Sequence, residues 1–250
     1  VDTAIRTLRA QLDAVPSDRR RRQATVLFAD VTGFTAMSET MDAEEITVLM
    51  DRLWTVLDKV VIEHGGHVDK HIGDALMAVW GAHTTREDDP EQAVRAALSL
   101  QAAIDRFRRE NDTEFGMRVG VNTGPVALGS VGVSGEFTAM GDAVNVASRL
   151  ERAARSNSVL VSHDTYRHVR GVFDAAALPP LAVRGKSALL RVYEIRALKP
   201  RAFRNPSRGV EGIETTMVGR KQEFDTLCAA FQRCQREPGH IVVELVGEAG

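Results

Sequence analysis

Two strand-like runs, GHVDKHIG and ALMAVWGA, follow one another with only Gly73-Asp74 at the turn between them. A connection that short admits an antiparallel hairpin and nothing else. Whatever this chain folds into therefore holds a sheet with a carboxylate at one of its turns.

The runs around the hairpin follow the order strand, helix, strand, strand, helix, strand. ATVLFADV comes first, then a helix from about Asp42 to His64, on which Ile46, Leu49, Met50, Leu53, Leu57, Val60 and Val61 make one apolar face. After the hairpin, Val94, Leu98, Gln101, Ile104 and Phe107 mark a helix from about Pro90 to Arg109, followed by a strand GMRVGVNTG. The remainder reads as a strand VALGSVG, a helix from about Asp142 to Ala154, a strand SVLVS, a short helix, and late strands near Val172 and Arg191. Strands interrupted by two long helices predict an α+β domain: a ferredoxin-like, split βαβ arrangement with an antiparallel-rich sheet and helices on one face.

Composition narrows the function classes. The 250 residues carry a formal net charge of -2 with both signs interspersed, which excludes a broad basic face for nucleic acid or anionic lipid. No run approaches the roughly 18 apolar residues of a membrane span, and the start has no signal-peptide pattern. With two cysteines, Cys228 and Cys234, the chain has no disulfide framework, and it reads as cytoplasmic. Residues 1–22 read as a lead-in helix and basic linker, 23–198 as one domain, 199–217 as a Pro-, Arg- and Gly-rich linker, and 218–250 as the start of something further. A chain that begins without Met and stops at VGEAG reads as a piece of a longer protein.

Asp30 ends an apolar strand and Asp74 sits at the hairpin turn. If those strands are neighbours, the two carboxylates can share divalent cations with substrate phosphates. Taken singly, each is also what an ordinary turn requires. The Val31-Thr32-Gly33-Phe34 stretch brings small residues and backbone amides to the strand end, where a triphosphate can approach them. Asn145 and Arg149, four apart on a helix, share a face beside an apolar stripe of Val146, Leu150 and Ala153. An amide and a guanidinium so placed suit a sugar oxygen and a phosphoryl group, although such a pair is equally at home on a solvated face. His64, His67, His71 and His83 match no closed zinc spacing, with His67 and His71 on one strand face; Trp54 and Trp80 read as core.

Together, ATVLFADVTGFTAMSE, GGHVDKHIGDALMAVWGA, GMRVGVNTGPVALGSVG and FTAMGDAVNVASRLE resemble the four signature blocks of class III adenylyl and guanylyl cyclases, in order and at family-like spacing. The resemblance implies the class III nucleotide cyclase fold and two Mg²⁺ or Mn²⁺ ions per site, held by Asp30, Asp74 and the Val31 carbonyl. It implies Asn145 on the ribose and Arg149 on the α-phosphoryl group. The family's two base-selecting positions fall on Lys70 and Thr138. Lysine donates to adenine N1 and threonine accepts from the 6-amino group, whereas guanine presents an N1 donor that suits a carboxylate. The resemblance thus implies an adenylate cyclase, making cyclic AMP and pyrophosphate from ATP in intracellular signalling.

The Lys/Thr pair is similar to the subclass of mammalian soluble adenylyl cyclase and the bicarbonate-responsive cyanobacterial cyclases. It implies a bicarbonate effector, which an activity titration with bicarbonate at fixed pH reads. In LAVRGKSALL, Arg184 stands where the family often has a triphosphate-contacting Lys, with Lys186 as the alternative. In this family the site lies between two cyclase domains, so one chain with the full set implies a head-to-tail homodimer. The tail from Met217 resembles the entry to a P-loop signal-transduction ATPase domain, but the chain stops before the Gly-Lys-Ser/Thr element. Two other readings stay open: a guanylate cyclase, and a catalytically silent cyclase fold that senses a ligand.

Overall fold

The computed structural model describes residues 21–39, 41–82, 84–131, 136–182, 189–200, 220–236 and 242–243. The chain divides into two compact units, Val1–Pro206 and Ser207–Gly250. The expected lead-in helix, Arg184, most of the 199–217 linker and most of the last apolar run lie outside the described residues.

In the first unit the strands are β1 (Arg21–Thr32), β2 (His67–Ile72), β3 (Ala75–Trp80), β4 (Gly116–Val131), β5 (Glu136–Met140), β6 (Ser158–Ser162), β7 (Phe173–Leu181) and β8 (Leu190–Leu198). The helices are α1 (Phe34–Ser38), α2 (Ala43–Glu63), α3 (Asp89–Asn111), α4 (Asp142–Ala153) and α5 (His163–Val169). In the second unit, α6 spans Lys221–Arg236. The strands form one sheet in the order β2-β3-β1-β4-β6-β8-β7, with β5 also paired to β4. Only the β4–β6 pair is parallel among these ladders. The result is an α+β fold with a mostly antiparallel sheet.

Local chemistry sets the helix ends. Asp42 caps α2 by accepting from the Glu44 amide at 2.9 Å, and Glu44 and Glu45 lie at the positive end of the helix. Pro90 opens α3, Arg108 and Arg109 sit in its last turn, and Asp112 ends it in the left-handed region at φ 50°. Ser162 caps α5, its hydroxyl accepting from the Thr165 amide at 3.1 Å.

Packing departs from the expectation of helices on one face. Leu27, Ala29 and Val31 of β1 join the main core, with Leu53 and Leu57 of α2 and Leu100 and Ile104 of α3. Ala24, Val26 and Phe28, the alternate residues, join a second core with Ala143 and Ala147 of α4. The helices therefore divide between the two faces. The near-continuous apolar run in ATVLFADV is the signature of a strand covered on both sides.

Three further differences concern strands. β1 begins at Arg21, two residues ahead of the expected domain start. GMRVGVNTG and VALGSVG are one strand, not two. Pro125 is tolerated there because it lies between the segments of β4 that pair with β6 (Arg118–Val121) and β5 (Ala127–Val131), where no ladder on that side needs its missing N–H. β5 itself, five residues without clear alternation, exists because β4 offers it an edge. No described helix is long and apolar enough to cross a membrane.

α4 lies directly on Gly120 of β4. A Cβ built there would sit 2.2 Å from the Glu151 amide nitrogen and 2.4 Å from the Ala147 carbonyl oxygen, so backbone would have to move. Gly120→Ala is expected to cost about 3 kcal/mol through overpacking, read as a lower denaturant midpoint at unchanged slope. A midpoint equal to that of the unsubstituted chain would show that α4 shifts at no cost.

Candidate active site

Asp30 and Asp74 come together at one end of the sheet. Asp30 lies opposite Ala75 of β3 and Arg118 of β4, and Asp74 is the second residue of the two-residue turn joining β2 to β3. Gly73 takes φ 63°, as the first position of a type II′ turn requires. The Val31 amide donates to the Asp74 carbonyl at 3.1 Å. Amide and carbonyl of one strand residue point to the same side, so the Val31 carbonyl also faces the hairpin end. Burial, and then the negative charge of Asp30, push the Asp74 carboxyl above the usual carboxylate range.

Two carboxylates and a carbonyl, all oxygen donors, suit a hard cation that takes one or two carboxylates and completes its shell with phosphates and water. No set of three His, Cys, Asp or Glu side chains is gathered to hold a metal ion among the described residues.

Two members of this cluster escape the sequence reading. Arg118 Nη2 contacts Asp30 Oδ2, and its Nε lies 3.5 Å from Glu151 Oε1. Glu151, on α4, is buried, and its carboxyl is raised from 4.5 to about 7, first by burial, then by Asp30, against the pull of Arg118. Neither Arg118 Nε nor Glu151 Oε1 completes a hydrogen bond. The available signal was a charge on an apolar face: Glu151 follows Ala143, Val146, Ala147 and Leu150 on the buried stripe of α4.

The base-selecting candidates also meet. The register of β2 on β3 slips between Val68 and Lys70, leaving Asp69 as the extra residue of a bulge. The bulge also interrupts the alternation between His67 and His71, which therefore do not share a face by simple period. Thr138 of β5, 6% exposed, donates from Oγ1 to Asp69 Oδ2 at 2.6 Å, and the Ala139 amide donates to Asp69 Oδ1 at 3.2 Å. Lys70 Nζ stands 3.7 Å from the same Asp69 Oδ2.

Asn145 and Arg149 lie elsewhere on α4. The buried stripe of α4 is Ala143, Val146, Ala147, Leu150 and Glu151; the expected stripe residue Ala153 is exposed. At 100° per residue, Asn145 and Arg149 fall roughly 130–170° from the centre of that stripe. Asn145 is exposed and Arg149 half-buried. The helix thus turns Glu151 toward the Asp30 cluster and Asn145 and Arg149 away from it. Gly33 ends β1's turn at φ 93°, with Glu114 O 2.8 Å from where a Cβ would be, so only glycine fits. Phe34 opens α1 and packs its ring against the main core.

The remaining candidates have structural partners. His64 lies between the Val60 carbonyl at 2.9 Å and Ser99 Oγ at 3.3 Å. His71 contacts Asp58 at 3.0 Å and the Trp54 ring, while Trp80 is buried and donates to the His64 carbonyl. His83 lies outside the described residues.

Glu151 gives a pH signature. Its folded pKa is raised, so between about pH 4.5 and 7 the folded chain holds more protons than the unfolded one, and stability attributable to Glu151 falls as pH rises through that window. Without divalent cations, Glu151→Gln should therefore gain stability relative to the unsubstituted chain from pH 5 to pH 8, by about 2 kcal/mol. Thermal melts that shift equally at both pH values would remove this account.

The family model for the adenylate and guanylate cyclase catalytic domain matches residues 17–196. Adenylate cyclase 1 of Rhizobium meliloti is 32% identical over 183 residues, 70% of this chain and 28% of that protein, so the chain spans well under half of this relative. Among solved structures, the adenylyl cyclase CyaB from P. aeruginosa is 30% identical with TM-score 0.70, covering 73% of this chain and 97% of that one. The guanylate cyclase domain of RhGC from Catenaria anguillulae, in complex with GTP, is 29% identical with TM-score 0.68, covering 72% and 100%. A sheet with paired carboxylates at one end, and a match that takes in all eight strands but for the last residues of β8, place this chain in the adenylate and guanylate cyclase catalytic-domain family.

Proposed function

We propose that the chain is an adenylate cyclase that converts ATP to 3′,5′-cyclic AMP and pyrophosphate, at a site shared by two copies arranged head to tail. The observation that carries the choice of ATP is the meeting of Lys70 and Thr138 around Asp69. An ammonium there donates to adenine N1, which guanine cannot accept because its N1 is itself a donor. Relatives of both specificities exist, so the base-reading side chains, rather than overall similarity, support this choice.

Asp30 and Asp74, with the Val31 carbonyl, would hold two Mg²⁺ or Mn²⁺ ions, which supply Lewis acidity toward the ribose 3′-hydroxyl and charge neutralisation on the triphosphate. The 3′-oxygen attacks the α-phosphorus in line, its proton leaves to solvent, and the bond from the α-phosphorus to the bridging oxygen breaks to release pyrophosphate. Asn145 orients the ribose and Arg149 holds the charge that grows on the α-phosphoryl oxygens. Backbone amides at Gly33 and Phe34 approach the phosphates, because the ring of Phe34 is committed to the core. Arg184 is proposed as a further phosphate contact.

The orientation of α4 supports the second copy. Since Asn145 and Arg149 face away from the sheet that carries Asp30 and Asp74, a complete site draws the carboxylates from one chain and the α4 pair from its partner. An ATPase module beyond the cyclase domain belongs to the same proposal for the longer protein.

The test is cyclic nucleotide formation from ATP and GTP, with Mg²⁺, with Mn²⁺ and after chelation. Cyclic AMP is expected from ATP, with loss on chelation or in Asp74→Ala, and a loss of about 100-fold or more in Arg149→Ala. Mixing inactive Asp30→Ala and Arg149→Ala chains should restore about a quarter of full activity: half of the dimers are mixed, with one intact site in two. Preference for GTP would establish the guanylate reading, and no recovery in proven mixed dimers would sink the shared site.

A further inference from the structure

We infer that Asp69 is the positioning residue that makes this site read adenine, by fixing which way the Thr138 hydroxyl points; the inference rests on the proposed turnover of ATP at this site. A threonine hydroxyl has one hydrogen and two lone pairs, so alone it distinguishes poorly between a base edge that donates and one that accepts. The Asp69 side chain, 4% exposed, removes that freedom. Its Oδ2 takes the Thr138 hydrogen at 2.6 Å, well inside the competing 3.4 Å separation to the Ala139 carbonyl. An ionised carboxylate only accepts, so with its hydrogen engaged Thr138 can offer a base only lone pairs. Adenine's 6-amino group donates to them, whereas the guanine O6 meets lone pair against lone pair.

The arrangement is built on both sides. Asp69 Oδ1 is held by the Ala139 amide at 3.2 Å, which orients the carboxylate plane, and the bulge between Val68 and Lys70 turns the residue out of the ordinary alternation of β2. Lys70 Nζ lies 3.7 Å from the same Oδ2, so one carboxylate also offsets the charge of the second base reader.

Asp69→Asn is nearly isosteric and reverses the polarity. The Ala139 amide claims the single amide oxygen, so the new NH₂ donates to Thr138 Oγ1 and the hydroxyl hydrogen turns toward the base. The discriminating pair of substrates is ATP and purine riboside 5′-triphosphate, which lacks the 6-amino group and keeps N1. Any effect transmitted through Lys70 is common to both and cancels in their kcat/KM ratio. In the unsubstituted chain ATP is expected to lead. In Asp69→Asn that ratio should fall about tenfold, the size of one mispaired buried hydrogen bond, and the GTP-to-ATP ratio should rise.

An unchanged ratio, however far both rates fall, overturns the inference and leaves the adenylate cyclase reading standing. An unsubstituted chain that makes no cyclic AMP overturns that reading and this inference with it. Folding is checked by thermal melt; if Asp69→Asn does not fold, Asp69→Ser, which removes the carboxylate without placing an amide donor beside Thr138, is read on the same pair. If neither folds, the carboxylate serves the fold alone and the inference falls.

Discussion

β1 and β4 pair in unbroken antiparallel register from Arg21 opposite Ala127 to Thr32 opposite Gly116, and the rest of the domain is hung from that ladder. β1 also takes β3, which brings the hairpin and Asp74 beside Asp30. β4 takes β6 near one end and β5 near the other, the first closing the sheet and the second presenting Thr138. Because β1 is apolar on both faces, helices must cover both, and α4 covers the face that α2 and α3 do not. A shift of one residue along this ladder would exchange the two faces of β1 and carry Asp30 away from Arg118.

The electrostatics of the strand ends follow from that placement. Asp30, Asp74 and Glu151 are gathered where the sheet and α4 converge, with Arg118 among them. Burying acids beside one another is costly unless they are paired or protonated. This cluster does both: Arg118 pairs with Asp30, while Glu151 is pushed toward its neutral form near pH 7. Arg118 serves as an internal counter-ion at the very carboxylate proposed to hold divalent cations, and Glu151 stands beside its Nε.

Much of this was legible in the sequence, for local reasons. The Gly73-Asp74 turn is fixed by two residues, and the apolar faces of α2 and α3 repeat through roughly four turns, so the hairpin and both long helices could be read directly. As candidates, Asp30, Asp74, Lys70 and Thr138 could be singled out because each lies in a block whose order is itself informative. Arg118, Glu151 and Asp69 were not, since what distinguishes each is a neighbour distant in sequence. Nothing in VDKHIG marks a bulge, because a period-two pattern does not say where one residue too many has been inserted. Covering α4 on the second face was signalled only by the lack of alternation in VLFA.

The bulge at Asp69 has a second effect through the place of β2 in the sheet. Among the described strands β2 is the outermost on its side, and a regular outer strand offers unpaired backbone groups to any other strand of matching spacing. One extra residue breaks that spacing in the middle of a strand only six residues long. The same irregularity that aims a carboxylate at Thr138 therefore discourages the sheet from growing into a neighbouring molecule along β2.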